Sequence, residues 1–320
     1  MCQQTDDRQC VDRFFNFTIM KFENQINYQN YKTSPSSRTL LGLIVLFGLF
    51  LTLFFYLFPT VANKNSSSPK ISESAVIFNE AVELPVKWGD LGQKMIAAGV
   101  IDDAKLEAIH LSRGEFGENE QKLLYEEENE KIVMTAQNAG FLLNLFWAFG
   151  LSNKNKILEQ GPMTDPRYGG ANRFASTAGW TLALGNPMNH YSRHNFVTFN
   201  LEQQALVEEV AKNIYRPCCG NSTYFPDCNH GMAMLGLLEL LVANGISEEE
   251  MYKIALQVNG FWFPDVYQTI EKYLESRNLN WQEVDPKIIL GNSFSSASGY
   301  ARVLSEMRPI QSGGSGNCGI

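Results

Sequence analysis

Ala139-Gly140-Phe141-Leu142-Leu143-Asn144-Leu145-Phe146-Trp147-Ala148-Phe149-Gly150-Leu151 is the stretch on which the fold turns. It is too short to cross a hydrocarbon layer, which takes about 20 residues in a helix, and Asn144 interrupts the apolar run. Such a segment reads as a helix buried in a protein core. Towards the N-terminus, acidic residues from Glu118 onward lead into it. The sequence therefore predicts one long helix from Glu118 to Phe149, solvated at its start and entering the core at its end. Towards the C-terminus, Met232 to Val242 is apolar except for Gly236 and Glu239 and belongs to a second helix, Gly231 to Ala243. Burial there would raise the pKa of Glu239.

Helix signals continue on both sides of this pair. Asp90 and Asp102 are placed to cap the helices that carry Leu91, Met95, Ile96 and Leu106, Ile109. Asn200 with Gln203, and Ser247 with Glu250, have the spacing of capping boxes, the second directly after an Asn244-Gly245 stop. Pro264 and Asp265 suit the first turn of a further helix to about Glu275. Strand signals are confined to Phe196 to Phe199 and Ile288 to Leu290. Gly161 to Pro187 is rich in Gly, Asn, Ser and Thr without period, and a loop of that length is functional or hides further structure. The fold class is thus mainly α, with long loops.

A second apolar run carries the organisation of the whole chain. Between Arg38 and Lys64 no residue is charged, and Leu40 to Phe58 dominates the stretch, enough for one membrane-crossing helix. The long polar segment before it makes the run too internal for a cleaved signal peptide and favours an uncleaved anchor. The expected plan is a polar segment at 1–38, a transmembrane helix at 39–62 and a linker at 63–70. A helical globular domain at 71–310 follows, then a flexible Gly/Ser tail at 311–320. Lys21, Lys32 and Arg38 before the span, against Lys64 and Lys70 after it, orient the C-terminal domain to the extracytoplasmic side. Residues 1–38 carry five basic and four acidic side chains, so subtracting their +1 from the total of −8 leaves −9 on the rest. A domain of that charge does not bind nucleic acid.

The most specific motif is Cys218-Cys219-x8-Cys228-x-His230, followed by Met232 and Met234. Half of the chain's cysteines, one of its four histidines and two methionines fall between Cys218 and Met234. The cysteines sit between a helix expected at Leu201 to Tyr215 and the one starting near Gly231, where positive charge at the helix N-terminus favours thiolates. Cys218, Cys219, Cys228 and His230 form a Cys3His set of the kind that binds zinc, and the softness of thiolate and of Met232 adds copper. Vicinal cysteines depart from the usual C-x2–4-C spacing. A disulfide from Cys228 to Cys218 or Cys219 is the competing outcome outside the cytoplasm.

Additional ligands are offered by Cys318 on the tail, which has a reach of roughly 17 Å, and by His190 and His194, whose i, i+4 spacing puts both imidazoles on one face of a helix. Asn65 and Asn221 head glycosylation-type triplets. There is no Walker loop, Gly-x-Ser-x-Gly or haem motif. The preferred reading is a membrane-anchored, extracytoplasmic protein that binds copper or zinc and implies no turnover. One alternative is thiol-disulfide or sulfur/metal transfer with Cys318 and an exchange partner protein. The other is a disulfide-stapled interaction domain.

Overall fold

The computed structural model describes residues 81–307, which fall within one compact unit of the chain. The apolar run at 39–62, the linker, Asn65 and the tail with Cys318 lie outside the described residues. Among those described, no helix is long and apolar enough to cross a membrane.

Two helices form the centre. α4 (Ala139–Ser152) is buried at every position except Gly140 and Asn144, and α8 (Asn229–Ala243) is buried from Gly231 to Val242. Helices apolar on every face must be surrounded by protein. Their backbones meet at two glycines. A Cβ on Gly150 would lie 2.3 Å from Met232 O, and one on Gly236 would lie 2.2 Å from Phe146 O. The pair is therefore packed more closely than any residue with a side chain would permit. α7 (Leu201–Asn213) and α9 (Glu248–Trp262) pack on it, and α10 (Pro264–Ser276) packs on α9 and on α13 (Ala297–Met307), with the short α11 (Pro286–Leu290) and α12 (Asn292–Ser295) between those last two in the chain.

The N-terminal part of the domain differs from the sequence reading. The long helix expected from Glu118 to Phe149 is two helices, α3 (Glu118–Tyr125) and α4, separated by strand β2 (Glu128–Met134). β2 pairs antiparallel with β1 (Val82–Gly89), and α1 (Leu91–Ala97), α2 (Asp103–Arg113) and α3 connect the two strands. β1 alternates cleanly, with Leu84, Val86 and Trp88 buried. Pro85 has no N–H to offer, and the ladder shifts register just after Leu84. Of the two strands expected from sequence, Phe196 to Phe199 is irregular and Ile288 to Leu290 lies in α11.

The capping signals match the structure well. Asp102 accepts from Lys105 N at 3.2 Å, and Asn200 and Gln203 form the reciprocal box at 2.8 and 3.0 Å. Ser247 accepts from Glu250 N as a simple N-cap and not as the reciprocal box expected, and Gly245 follows α8 with φ +74°. Asp90 precedes α1 without a side-chain cap.

One polar group punctuates each of the two apolar helices. Asn144, on α4, donates to Nε2 of the fully buried His110 at 2.9 Å, while His110 Nδ1 faces Glu115 at 2.7 Å, so the polar break locks α2 against α4. Glu239 of α8 accepts from Asn153 at 2.8 Å and Asn155 at 2.7 Å. Burial raises its pKa well above the usual carboxylate value, against the pull of those two amides.

Gly161 to Pro187 resolves into short turns. Segments Pro162–Thr164, Pro166–Tyr168 and Ala171–Arg173 are single 3-10 turns, and α6 (Ala175–Ala178) is one turn of α-helix; α5 (Lys156–Gln160) leads into them. Met163 and Trp180 from this segment are buried in the core. It is therefore structure without periodicity, too finely divided for a helical pattern to register.

Candidate metal centre

The cysteine loop runs from the end of α7 at Asn213 to the start of α8. Its ends are tied by a bridge between Tyr215 and Ser222 and by Thr223 N donating to Ile214 O at 2.8 Å. Inside it lies Arg216, only 1% exposed. The guanidinium donates from Nη1 to Asn221 O at 2.8 Å, from Nη2 to Phe225 O at 3.1 Å and to Asp227 Oδ1, and from Nε to Cys228 Sγ at 3.0 Å. One planar donor thus ties together backbone and side-chain acceptors from several points of the loop. Gly231 admits it, because a Cβ there would lie 2.5 Å from Arg216 Cζ.

Cys228 is the N-cap of α8, its sulfur accepting from Gly231 N at 3.4 Å in the place a serine or aspartate usually takes. Its pKa is far below that of an ordinary thiol. The two neighbouring thiols, Cys218 and Cys219, are the main cause, with His230 and the Arg216 charge adding to them against burial. Cys218 is shifted the opposite way, by its bonds to Cys219 and Cys228 and then by burial. For Cys219 the bond to Cys218 pulls down, but Cys228 and burial outweigh it and push the thiol up to about 11. In turn Arg216 rises above its ordinary value: burial opposes its charge, and Cys228, Cys219 and Asp227 more than compensate.

Ligand atoms of Cys218, Cys228 and His230 lie within 4.8 Å of one another, and Cys218 Sγ is 3.5 Å from Cys228 Sγ. Donors around one zinc ion, at ~2.0 to 2.3 Å from the metal, sit about 3.3 to 3.8 Å apart, a spacing this trio reaches with small rotamer changes. His230, in the first turn of α8, is held by Phe263 and Trp262, with ring centroids at 4.4 and 5.8 Å. Its Nδ1 is buried and has no hydrogen-bond partner. A polar atom in that state is costly unless something else engages the imidazole.

The fourth residue of the sequence-derived set, Cys219, falls in a second group that shares Cys228. Cys219 Sγ lies 3.7 Å from Asp227 Oδ1, and Cys219, Asp227 and Cys228 form a second group within 4.8 Å. Asp227 is a poor ligand, however, because Oδ1 holds Arg216 and Oδ2 accepts from Asn221 Nδ2 at 2.7 Å. We therefore assign it to orienting the guanidinium. The same bond occupies the amide of the Asn221-Ser222-Thr223 triplet.

His190 and His194 are not on a helix. Pro187–Asn189 is a 3-10 turn, and Ser192, between the histidines, has φ +48°. The rings instead stack on each other, with Nδ1 of His190 3.2 Å from Nε2 of His194, and His194 also stacks on Phe196. Neither belongs to a ligand group among the described residues. Met232 and Met234 are buried in the hydrophobic core, on the apolar stretch of α8.

Sequence reasoning missed Arg216 and Asp227. Arg216-Pro217 registers only as a helix stop, although a lone arginine before a proline, with Asp227 further along the same loop, is a usable sign of a folded loop. The segment from Gly161 to Pro187 supports the same loop. Asp227 O accepts from Ser176 N at 3.1 Å, and Tyr168 and Phe174 pack on Phe225 with centroids at 5.2 and 5.4 Å.

No family model, curated protein or solved structure matches the chain.

Proposed function

We propose that the domain binds a soft or borderline metal ion, copper or zinc, through Cys218, Cys228 and His230, with Cys219 as the neighbouring fourth donor. The observation that carries this reading is the convergence of three donor side chains at one end of a rigid core helix, with the buried Nδ1 of His230 left unpartnered. Two thiolates and an imidazole suit Zn(II) and Cu(I) and do not suit calcium or magnesium. The centre is a binding site and no reaction is assigned to it. Exposure of Cys218 supports exchange of the ion with a partner protein. The apolar run at 39–62 supports attachment to a membrane, and the basic residues before it support an extracytoplasmic domain.

Elemental analysis with thiol counting on the purified, anaerobically handled chain tests the metal reading. One equivalent of zinc or Cu(I) is expected, lost in Cys228→Ser and strongly weakened in His230→Ala. A chain that takes up neither ion when offered both, while its loop thiols are reduced and titratable, defeats it.

A further inference from the structure

We propose that Cys218 and Cys228 are a dithiol–disulfide couple that exchanges with small disulfides and leaves Cys219 as a free thiol. The two sulfurs are 3.5 Å apart, and a side-chain rotation is enough to bring them towards a bond of about 2.05 Å. Cys219, whose sulfur also lies within 4.8 Å of Cys228, instead makes its contacts to Asp227 and, at 3.9 Å, to Asn221 O. The 3.5 Å contact therefore favours one of the two pairings that the sequence offers. The couple also has a defined order of attack. Cys218 is exposed, whereas Cys228 is partly buried beneath the Arg216 guanidinium.

With a low-molecular-weight disulfide RSSR, the Cys218 sulfur gives its proton to solvent and attacks one sulfur of RSSR. A Cys218–S–SR bond forms, and RS⁻ leaves and takes up a proton. Cys228, 3.5 Å away, then attacks the Cys218 sulfur as a thiolate, so that the Cys218–Cys228 bond forms, the Cys218–S–SR bond breaks, and the second RS⁻ leaves and takes a proton from solvent. Two electrons pass from the cysteine pair to the reagent, and two RSH are formed. The Gly231 and Arg216 donors hold the Cys228 sulfur at its cap position beside Cys218. Resting on the metal reading above, the same oxidation removes two of the three converging ligands, so the couple also controls whether the centre can hold an ion.

The test uses the full chain, reduced and metal-free, exposed anaerobically to glutathione disulfide, quenched by alkylation and mapped by mass spectrometry. A Cys218–Cys228 cross-linked peptide with alkylated Cys219 is expected, unchanged in Cys219→Ala and absent in Cys218→Ala. Cys228→Ala should accumulate glutathione on Cys218, the trapped first step. A Cys219–Cys228 cross-link, or full alkylation of all three loop cysteines after exposure, overturns the couple. Zinc offered to the two forms separates the readings. At least a tenfold loss of affinity on oxidation supports control of the centre, and equal binding overturns it. A reduced chain that binds no zinc or Cu(I) defeats the metal reading alone, with the cross-link still deciding the couple.

Discussion

Gly236→Ala tests whether the contact between α4 and α8 is as close as the two glycines imply. An alanine Cβ would meet Phe146 O at 2.2 Å, Gly150 N at 2.8 Å and Gly150 Cα at 3.1 Å, all of them backbone atoms of a helix that cannot rotate aside. Non-bonded heavy atoms rest at about 3.5 Å, so the helices must separate by about 1 Å. Overpacking of this kind costs about 1 to 3 kcal/mol, and an unyielding obstacle points to the upper end. Against it, alanine gains about 1 kcal/mol over glycine in a helix interior. The net expectation is a loss of about 2 kcal/mol. Urea unfolding followed by far-UV circular dichroism measures it, with Gly220→Ala as the control, since nothing lies within 4 Å of a Cβ there. Gly150→Ala faces the same contact from the other side, at 2.3 Å from Met232 O. The double variant should therefore cost clearly less than the sum, because one separation relieves both clashes. If Gly236→Ala is as stable as the parent chain, propensity alone governs the position and the close approach of the two backbones is refuted.

The loop and the titrating groups give further expectations. Arg216→Lys keeps the charge but cannot reproduce the fork to Asn221, Phe225, Asp227 and Cys228. It should cost about 3 kcal/mol, as for breaking a buried pair, and raise alkylation of Cys228. Gly231→Ala, whose Cβ would strike the Arg216 guanidinium, should reproduce that reactivity without touching the arginine, and unchanged alkylation in both would contradict the organising role of Arg216. Burial lowers the His110 pKa more than Glu115 raises it, so the folded value lies below the unfolded one of about 6.5. Between those values the unfolded chain binds more protons, so stability rises with pH through that window and is lost as pH falls below about 6.5. The urea midpoint should therefore drop from pH 7 to pH 5.5, and His110→Gln should flatten that drop. An identical slope in the variant removes His110 as its source.

What the sequence disclosed follows the physics of each element. α7, α8 and α9 were legible because local rules set their ends: Asn200 with Gln203, Asn244-Gly245 and Ser247 act within one turn of the chain. β2 was not, because Ile132-Val133 is too short a β-branched signal to outweigh the helix formers around it, and pairing with β1, three helices earlier in the chain, makes a strand of it. The same distinction divides the candidate site. Cys218, Cys228 and His230 announce themselves by residue type, and the expected helix start at Gly231 already placed two of them at a helix N-terminus. Arg216 is an ordinary arginine in sequence and becomes central only when the loop closes on it.

That closure also explains why three cysteines of one short loop acquire different chemistry. Cys228 is fixed by groups that do not move independently: the first turn of α8, the guanidinium that Gly231 makes room for, and the Asp227 carboxylate that holds the guanidinium in plane. Cys219 lies on the Asp227 side of this assembly and Cys218 on the solvent side. The vicinal pair, read along the chain, looks redundant. In the folded loop Cys219 faces the saturated Asp227 carboxylate and Cys218 faces the Cys228 sulfur, so Cys218 is the one placed to form a bond with Cys228.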